Sequence, residues 1–185
     1  MRTFIAISIP LTTKIKKLLR DLEIHLKDVC LSYTNPNQYH ITLAFLGETS
    51  SEQAIAISND LKNLTFIKEP LLIELKGTGL FRNINNPKVL WIGTSDVSAL
   101  KILWAKVNEI AIKNGFTASE DSFTPHITIG RIKSLGKDNN LINLIEKYKE
   151  VDFGKICIPE LTFFQSITTS EGAQYKVIEK FKLTE

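Results

Sequence analysis

The tripeptide His-x-Thr occurs twice in this chain, at His40-Ile41-Thr42 and His126-Ile127-Thr128, and the two copies stand 86 residues apart. No other feature limits the fold as tightly, because sliding the chain along itself by that one offset aligns most of its other patterns. The apolar run Thr3 to Ile9 falls on Val89 to Ser95. The helical segment whose stripe is Ile15, Leu18, Leu19, Leu22 and Leu26 falls on a second helical segment whose stripe is Leu100, Leu103, Trp104, Val107, Ile110 and Ala111. Both stripes keep the i, i+3, i+4, i+7 spacing of one helix face. The polar-capped stretch from Ser51 falls on that from Lys137, and Glu74-Leu75 falls on Glu160-Leu161. One internal duplication accounts for all of these matches. The expected unit is strand, helix, His-x-Thr strand, shorter helix, strand, with extra strands joining the halves. No Pro/Gly/Ser-rich linker divides the chain, so residues 1–185 are expected to form one domain with two lobes.

Tyr39 to Leu46 and His126 to Ile132 both read as strands. Strand side chains alternate between faces, so His40 and Thr42 share one face while Ile41 and Leu43 take the other. The same holds for His126 and Thr128 against Ile127 and Ile129. If the halves pack about a pseudo-twofold axis, their polar faces meet across a cleft holding two imidazoles and two hydroxyls. That donor set suits a compact tetrahedral anion, since hydroxyls and imidazolium N–H groups both donate to phosphate oxygens. Histidine also titrates near neutral pH. One ring can take a proton from an attacking hydroxyl or water while the other gives one to a leaving alkoxide.

Other residues support no rival chemistry. With three histidines, no His-Glu-x-x-His and no carboxylate-rich cluster, neither a metal nor another cofactor is expected. His25 reads as a surface residue of the first helix, and Trp91 and Trp104 as core packing. Lys14, Lys16, Lys17 and Arg20 form a basic helix face, most simply solvated, with contact to an RNA backbone as the alternative. The net charge of +3 tolerates a phosphate ligand without implying a nucleic-acid binder. Cys30 and Cys157 lack metal or disulfide spacing, and the first apolar run ends at Pro10, so a reduced, cytoplasmic protein without a membrane segment is expected. No heptad or exposed apolar run marks a partner, which makes a monomer the expected state.

At these residues the sequence resembles the two-histidine phosphoesterase superfamily, and most closely its RNA 2′,3′-cyclic phosphodiesterase branch, also called 2′-5′ RNA ligase. The likeness spans nearly the whole chain. It runs from Arg2-Thr3-Phe4-Ile5-Ala6-Ile7 through His40-Ile41-Thr42-Leu43-Ala44-Phe45-Leu46-Gly47 to a Gly77-Thr78-Gly79-Leu80-Phe81 turn followed by Pro87-Lys88-Val89-Leu90-Trp91. It continues in Phe123-Thr124-Pro125-His126-Ile127-Thr128-Ile129-Gly130-Arg131 and closes at Gly172-Ala173-Gln174-Tyr175-Lys176-Val177.

The resemblance implies an α+β fold, bilobal, with two pseudo-symmetric antiparallel sheets, flanking helices and a central cleft. It also implies hydrolysis of RNA 2′,3′-cyclic phosphate ends to 2′-phosphates, with 2′-5′ joining of RNA ends in reverse. By analogy His40 is the acid that protonates O3′ and His126 the base that activates water, although the internal symmetry does not distinguish them. Thr42 and Thr128 would hold the nonbridging oxygens. Arg131 matches a motif arginine that stabilises phosphate charge. Strict alternation puts Arg131 on the face opposite His126, unless the strand bulges or ends near Gly130. Phe45 occupies the equivalent place in the first half and is either core packing or a wall for the terminal base. The chain departs from the family pattern at Ser32-Tyr33, where a basic-aromatic pair is common, at Gln38, where asparagine is frequent, and at Gly130, where alanine is usual. Two other readings remain: a non-catalytic nucleotide- or RNA-binding module, and a phosphodiesterase acting on a small cyclic nucleotide.

Overall fold

Alternation and helical periodicity act together in a computed structural model that describes residues 1–64, 71–81, 88–117, 123–136, 140–170 and 172–183. The first half runs β1 (Arg2–Ser8), α1 (Thr13–His25), β2 (Cys30–Tyr33), β3 (His40–Glu48), α2 (Ser51–Lys62) and β4 (Leu71–Phe81). The second runs β5 (Val89–Thr94), α3 (Ser98–Lys113), β6 (Ile127–Ser134), α4 (Leu141–Tyr148), β7 (Asp152–Ile158), β8 (Glu160–Thr169) and β9 (Gly172–Lys182). His126 stands one residue before its strand. Residues 137–139, which the offset aligns with the start of α2, lie outside the described residues.

The strands form two antiparallel sheets, ordered β3-β1-β8-β9 and β2-β6-β5-β4-β7. Within them, β3-β1-β8 and β6-β5-β4 follow the same plan. The third strand of each half has crossed over: β4 pairs with β5 of the second half, and β8 pairs with β1 of the first. The helices cross in the same way, α1 lying against β7 and α3 against β3.

The periodic stripes account for the helix packing. Ile15, Leu18 and Leu22 of α1 and Leu100, Leu103, Val107 and Ala111 of α3 are buried in one continuous apolar core shared by both sheets. Thr12 caps α1 by accepting a hydrogen bond from the Ile15 amide, and Ser50 with Gln53 closes a capping box on α2. A smaller cluster of Phe4, Ala6 and Phe164, with Tyr175 against it, is separate from that core, and its Phe4 and Tyr175 line a cleft.

The expected turn at Gly77 to Phe81 is instead the end of β4. Gly77 sits at φ +74° in a bulge opposite β5, and its amide donates to the Val151 carbonyl at 2.9 Å. A Cβ there would meet the Lys149 carbonyl oxygen at 2.4 Å, so both space and backbone conformation require glycine.

Candidate active site

His40, Thr42, Phe45, His126, Thr128 and Arg131 all line one cleft of about 590 Å³ between the two sheets. For the first four positions of each motif, strand alternation suffices. Ile41, Leu43, Ile127 and Ile129 are buried in the core, which leaves the histidine and threonine of each copy on the cleft face.

Arg131 and Phe45 reach the same face because each His-x-Thr strand bulges. Along β1 the register passes from Thr42 to Ala44, leaving Leu43 without a partner, and along β5 it passes from Thr128 to Gly130, leaving Ile129 without one. Leu43 and Ile129 are themselves 86 residues apart. Each extra residue flips the alternation, so the side chain five positions after the histidine returns to the cleft. The bulge carbonyls, withdrawn from the ladder, are satisfied elsewhere: Asn108 Nδ2 donates to Leu43 O at 3.1 Å, and the Thr34 amide donates to Ile129 O at 2.9 Å. Gly130 contributes space rather than an unusual backbone angle, since a Cβ there would lie 3.0 Å from both Leu31 and the Ser32 carbonyl. Phe45 is 78% exposed, which rules out core packing as its role.

The two imidazoles are held alike. His40 Nδ1 lies 2.6 Å from the Gln38 carbonyl and His126 Nδ1 lies 2.8 Å from the Thr124 carbonyl. A carbonyl can only accept, so both Nδ1 atoms carry the proton and donate it, which leaves each Nε2 for proton exchange. Aromatic rings fix the planes: Phe4 and Tyr175 each stand 5.1 Å from His40, Tyr175 edge-on, and Phe81 stands edge-on to His126 at 4.5 Å. Burial lowers the pKa of both histidines below the ordinary imidazole value. The carbonyl hydrogen bonds oppose that shift, and the charge of His126 lowers His40 a little further.

Among the described residues no carboxylate lines the cleft, and its formal cations are Arg2 and Arg131. Among the described residues, too, no group of three or more His, Cys, Asp or Glu could hold a metal ion, and no helix is long and apolar enough to cross a membrane. His25 is exposed at the end of α1. None of Lys14, Lys16, Lys17 and Arg20 borders the cleft, and Lys14 pairs with Asp152 at 3.0 Å.

Trp104 packs against the core, as expected, and in addition stacks on Phe123, at 5.4 Å and 15°, in the wall of an apolar annex of about 460 Å³ that opens beside His126. Phe4, Thr34, Phe81 and Tyr175 also line the cleft, and motif reasoning does not single them out. Phe4, Phe81 and Tyr175 each stand in a block that carries the family likeness, and that was the available signal.

The LigT like Phosphoesterase family model matches residues 5–91 and 94–175. The chain is 33% identical over 181 residues to an RNA 2′,3′-cyclic phosphodiesterase of Methanocaldococcus jannaschii, covering 98% of this chain and 100% of that one. It is 35% identical over 163 residues to a protein of the same description from Aquifex aeolicus, covering 87% and 86%. Among solved structures, TT0787 of Thermus thermophilus superposes with a TM-score of 0.75 at 26% identity, over 99% of this chain and 98% of that one. With the matched segments reaching from β1 into β9 and both motifs inside them, the chain belongs to the LigT-like phosphoesterase family.

Proposed function

We propose that this protein hydrolyses 2′,3′-cyclic phosphates at RNA ends to 2′-phosphates without a metal ion, using His40 and His126 as paired acid and base on a site built from two copies of one duplicated unit. The observation that carries the reading is the matched pair of imidazoles. Each is fixed through Nδ1 by the carbonyl two residues earlier, and both line one cleft that also holds two threonines and an arginine and, among the described residues, no carboxylate. The description shared by the curated relatives supports the substrate class.

In this scheme the phosphate lies between the histidines, its nonbridging oxygens accepting from Thr42, Thr128 and Arg131. Neutral His126 takes a proton from water as the water oxygen bonds to phosphorus. The P–O3′ bond breaks, and His40, protonated at Nε2, gives that proton to O3′. The products are a 2′-phosphate and a 3′-hydroxyl, with the two histidines left in exchanged protonation states. A 5′-hydroxyl in place of water gives a 2′-5′ linkage by the same transfers. A cytoplasmic location is part of this reading and suits two exposed, free cysteines.

The direct test is incubation with an oligoribonucleotide bearing a 2′,3′-cyclic phosphate end, in the presence of EDTA, with 2′- and 3′-phosphate products resolved. Conversion to the 2′-phosphate is expected. Binding without turnover would point instead to a non-catalytic RNA-binding module.

The pH dependence follows from the burial of both rings. A lowered pKa keeps the base neutral further into acid, and it also strips the acid of its proton earlier as pH rises. The expected kcat/KM profile is a bell centred below about pH 6.5. Its two limbs belong to the pair rather than to either residue. The kcat profile shifts upward, because bound phosphate anion favours the imidazolium form. A rate still climbing past about pH 8 would contradict paired histidine catalysis.

A further inference from the structure

Beside the cleft runs a second groove, of about 390 Å³, that the chemistry above does not use. It joins the cleft through Thr34, Arg131, Ala173 and Tyr175, which line both. Its character is set by Arg131 and Lys133, two positions apart on one face of β6, and by the amides Gln38 and Gln174. Among the described residues no carboxylate lines it, and neither cation has an ion-pair partner. Tyr33, 41% exposed, adds an aromatic ring to the wall. In a chain of net charge only +3, two cations on one strand face, with no carboxylate partner among the described residues, concentrate positive charge beside the candidate catalytic cleft.

We infer that this groove binds the RNA strand upstream of the reacting end, with Lys133 contacting the phosphate that joins the terminal nucleotide to its neighbour. The inference rests on the cyclic phosphodiesterase reading and adds to it a preference for oligonucleotides over mononucleotides. The other opening from the cleft is unsuited to that role. The annex beside His126 is walled by Phe45, Phe81, Trp104 and Phe123 and, among the described residues, carries no formal charge. A phosphate there would lose its hydration with no cation to replace it. An upstream base, in turn, has the ring of Tyr33 to stack on in the groove.

This placement also orders the ribose. O3′ lies next to C4′, which carries the upstream strand, whereas O2′ lies next to C1′, which carries the base. The groove is bordered by Gln38 and Tyr175, two of the residues set against His40, while the annex is bordered by His126. A strand lying in the groove therefore turns O3′ toward His40 and leaves water to approach from the side of His126. The near-symmetry of the two motifs is broken by what adjoins them.

The test compares wild type, Lys133→Ala and Lys17→Ala on a mononucleoside 2′,3′-cyclic phosphate and on a trinucleotide ending in one. Lys17 lies on the exposed face of α1 and controls for loss of one charge. Wild type is expected to prefer the trinucleotide. Lys133→Ala should lower kcat/KM on the trinucleotide by about 10-fold, the scale of one charge-assisted phosphate contact, and leave the mononucleotide rate unchanged. The salt dependence on the trinucleotide should also fall by about one phosphate's worth in Lys133→Ala and not in Lys17→Ala. Equal loss on both substrates, equal loss in both variants, or no loss on the trinucleotide would overturn the groove assignment while wild-type turnover keeps the cyclic phosphodiesterase reading. Absence of wild-type turnover on both substrates would overturn that reading itself.

Discussion

Replacement of His40 or His126 by alanine should lower kcat on a 2′,3′-cyclic phosphate by about 10² to 10⁴ each, the range for loss of a positioned acid or base. KM should move little, because Thr42, Thr128 and Arg131, the phosphate-holding groups of the proposed mechanism, still line the cleft. The double variant should be scarcely worse than either single one, since in the proposed mechanism acid and base act in one exchange and removing the second partner costs little once the first is gone. Both variants should remain folded: each ring faces the cleft, and its loss empties space on the solvent side rather than in the core. Far-ultraviolet circular dichroism and thermal unfolding check that point, and single-turnover rates check the chemistry. Turnover within a few-fold of wild type in either variant would remove that histidine from the mechanism.

The largest expected loss of stability comes from Phe163→Ala. Phe163 is fully buried on β8, pairing with Ile5 of β1 on one side and Glu179 of β9 on the other. A phenylalanine-to-alanine change in a packed core costs about 3–5 kcal/mol, against a usual total of about 5–15 kcal/mol. The position adds a further effect. β8 comes from the second half but completes the sheet that carries His40, so the cavity weakens the joint between the halves. Urea unfolding should show a lower midpoint with an unchanged slope and a single transition. Two separated transitions would mean that the halves unfold independently, contrary to the exchanged-strand architecture.

Much of the site was legible because it depends on local rules. Alternation alone places His40 and Thr42 opposite Ile41 and Leu43, and the helical stripes name the residues that α1 and α3 bury. The odd offset from His126 to Arg131 pointed to a break in the strand near Gly130, and the register shows a bulge at Ile129. Leu43 bulges too, and no glycine marks that place, because its stabilising partner is Asn108 on a helix far along the chain. Long-range pairing was the part that local patterns do not encode. The crossing of β4 and β8 between sheets, the ring of Tyr175 against His40, and the annex made by Trp104 with Phe123 all join residues distant in sequence. For the same reason the glycine at position 77 reads as a turn from sequence: a left-handed glycine serves turns and bulges alike, and the pairing of β4 with β5 makes this one a bulge.

The exchange of third strands bears on how such an enzyme could have arisen. On the proposed duplication, one copy of the unit alone holds a single histidine and leaves its first strand without the neighbour that β8 or β4 supplies. Two separate copies trading third strands would fill both gaps, as a twofold homodimer with one imidazole from each subunit. A homodimer, however, must carry the same residue at both equivalent positions of its site. On that proposal, fusion into one chain lifts the constraint, and the two copies do differ five residues past each histidine, where one holds the exposed ring of Phe45 and the other the guanidinium of Arg131. Covalent linkage would then permit a cleft with distinguishable ends, suited to a substrate with a definite 5′ to 3′ direction.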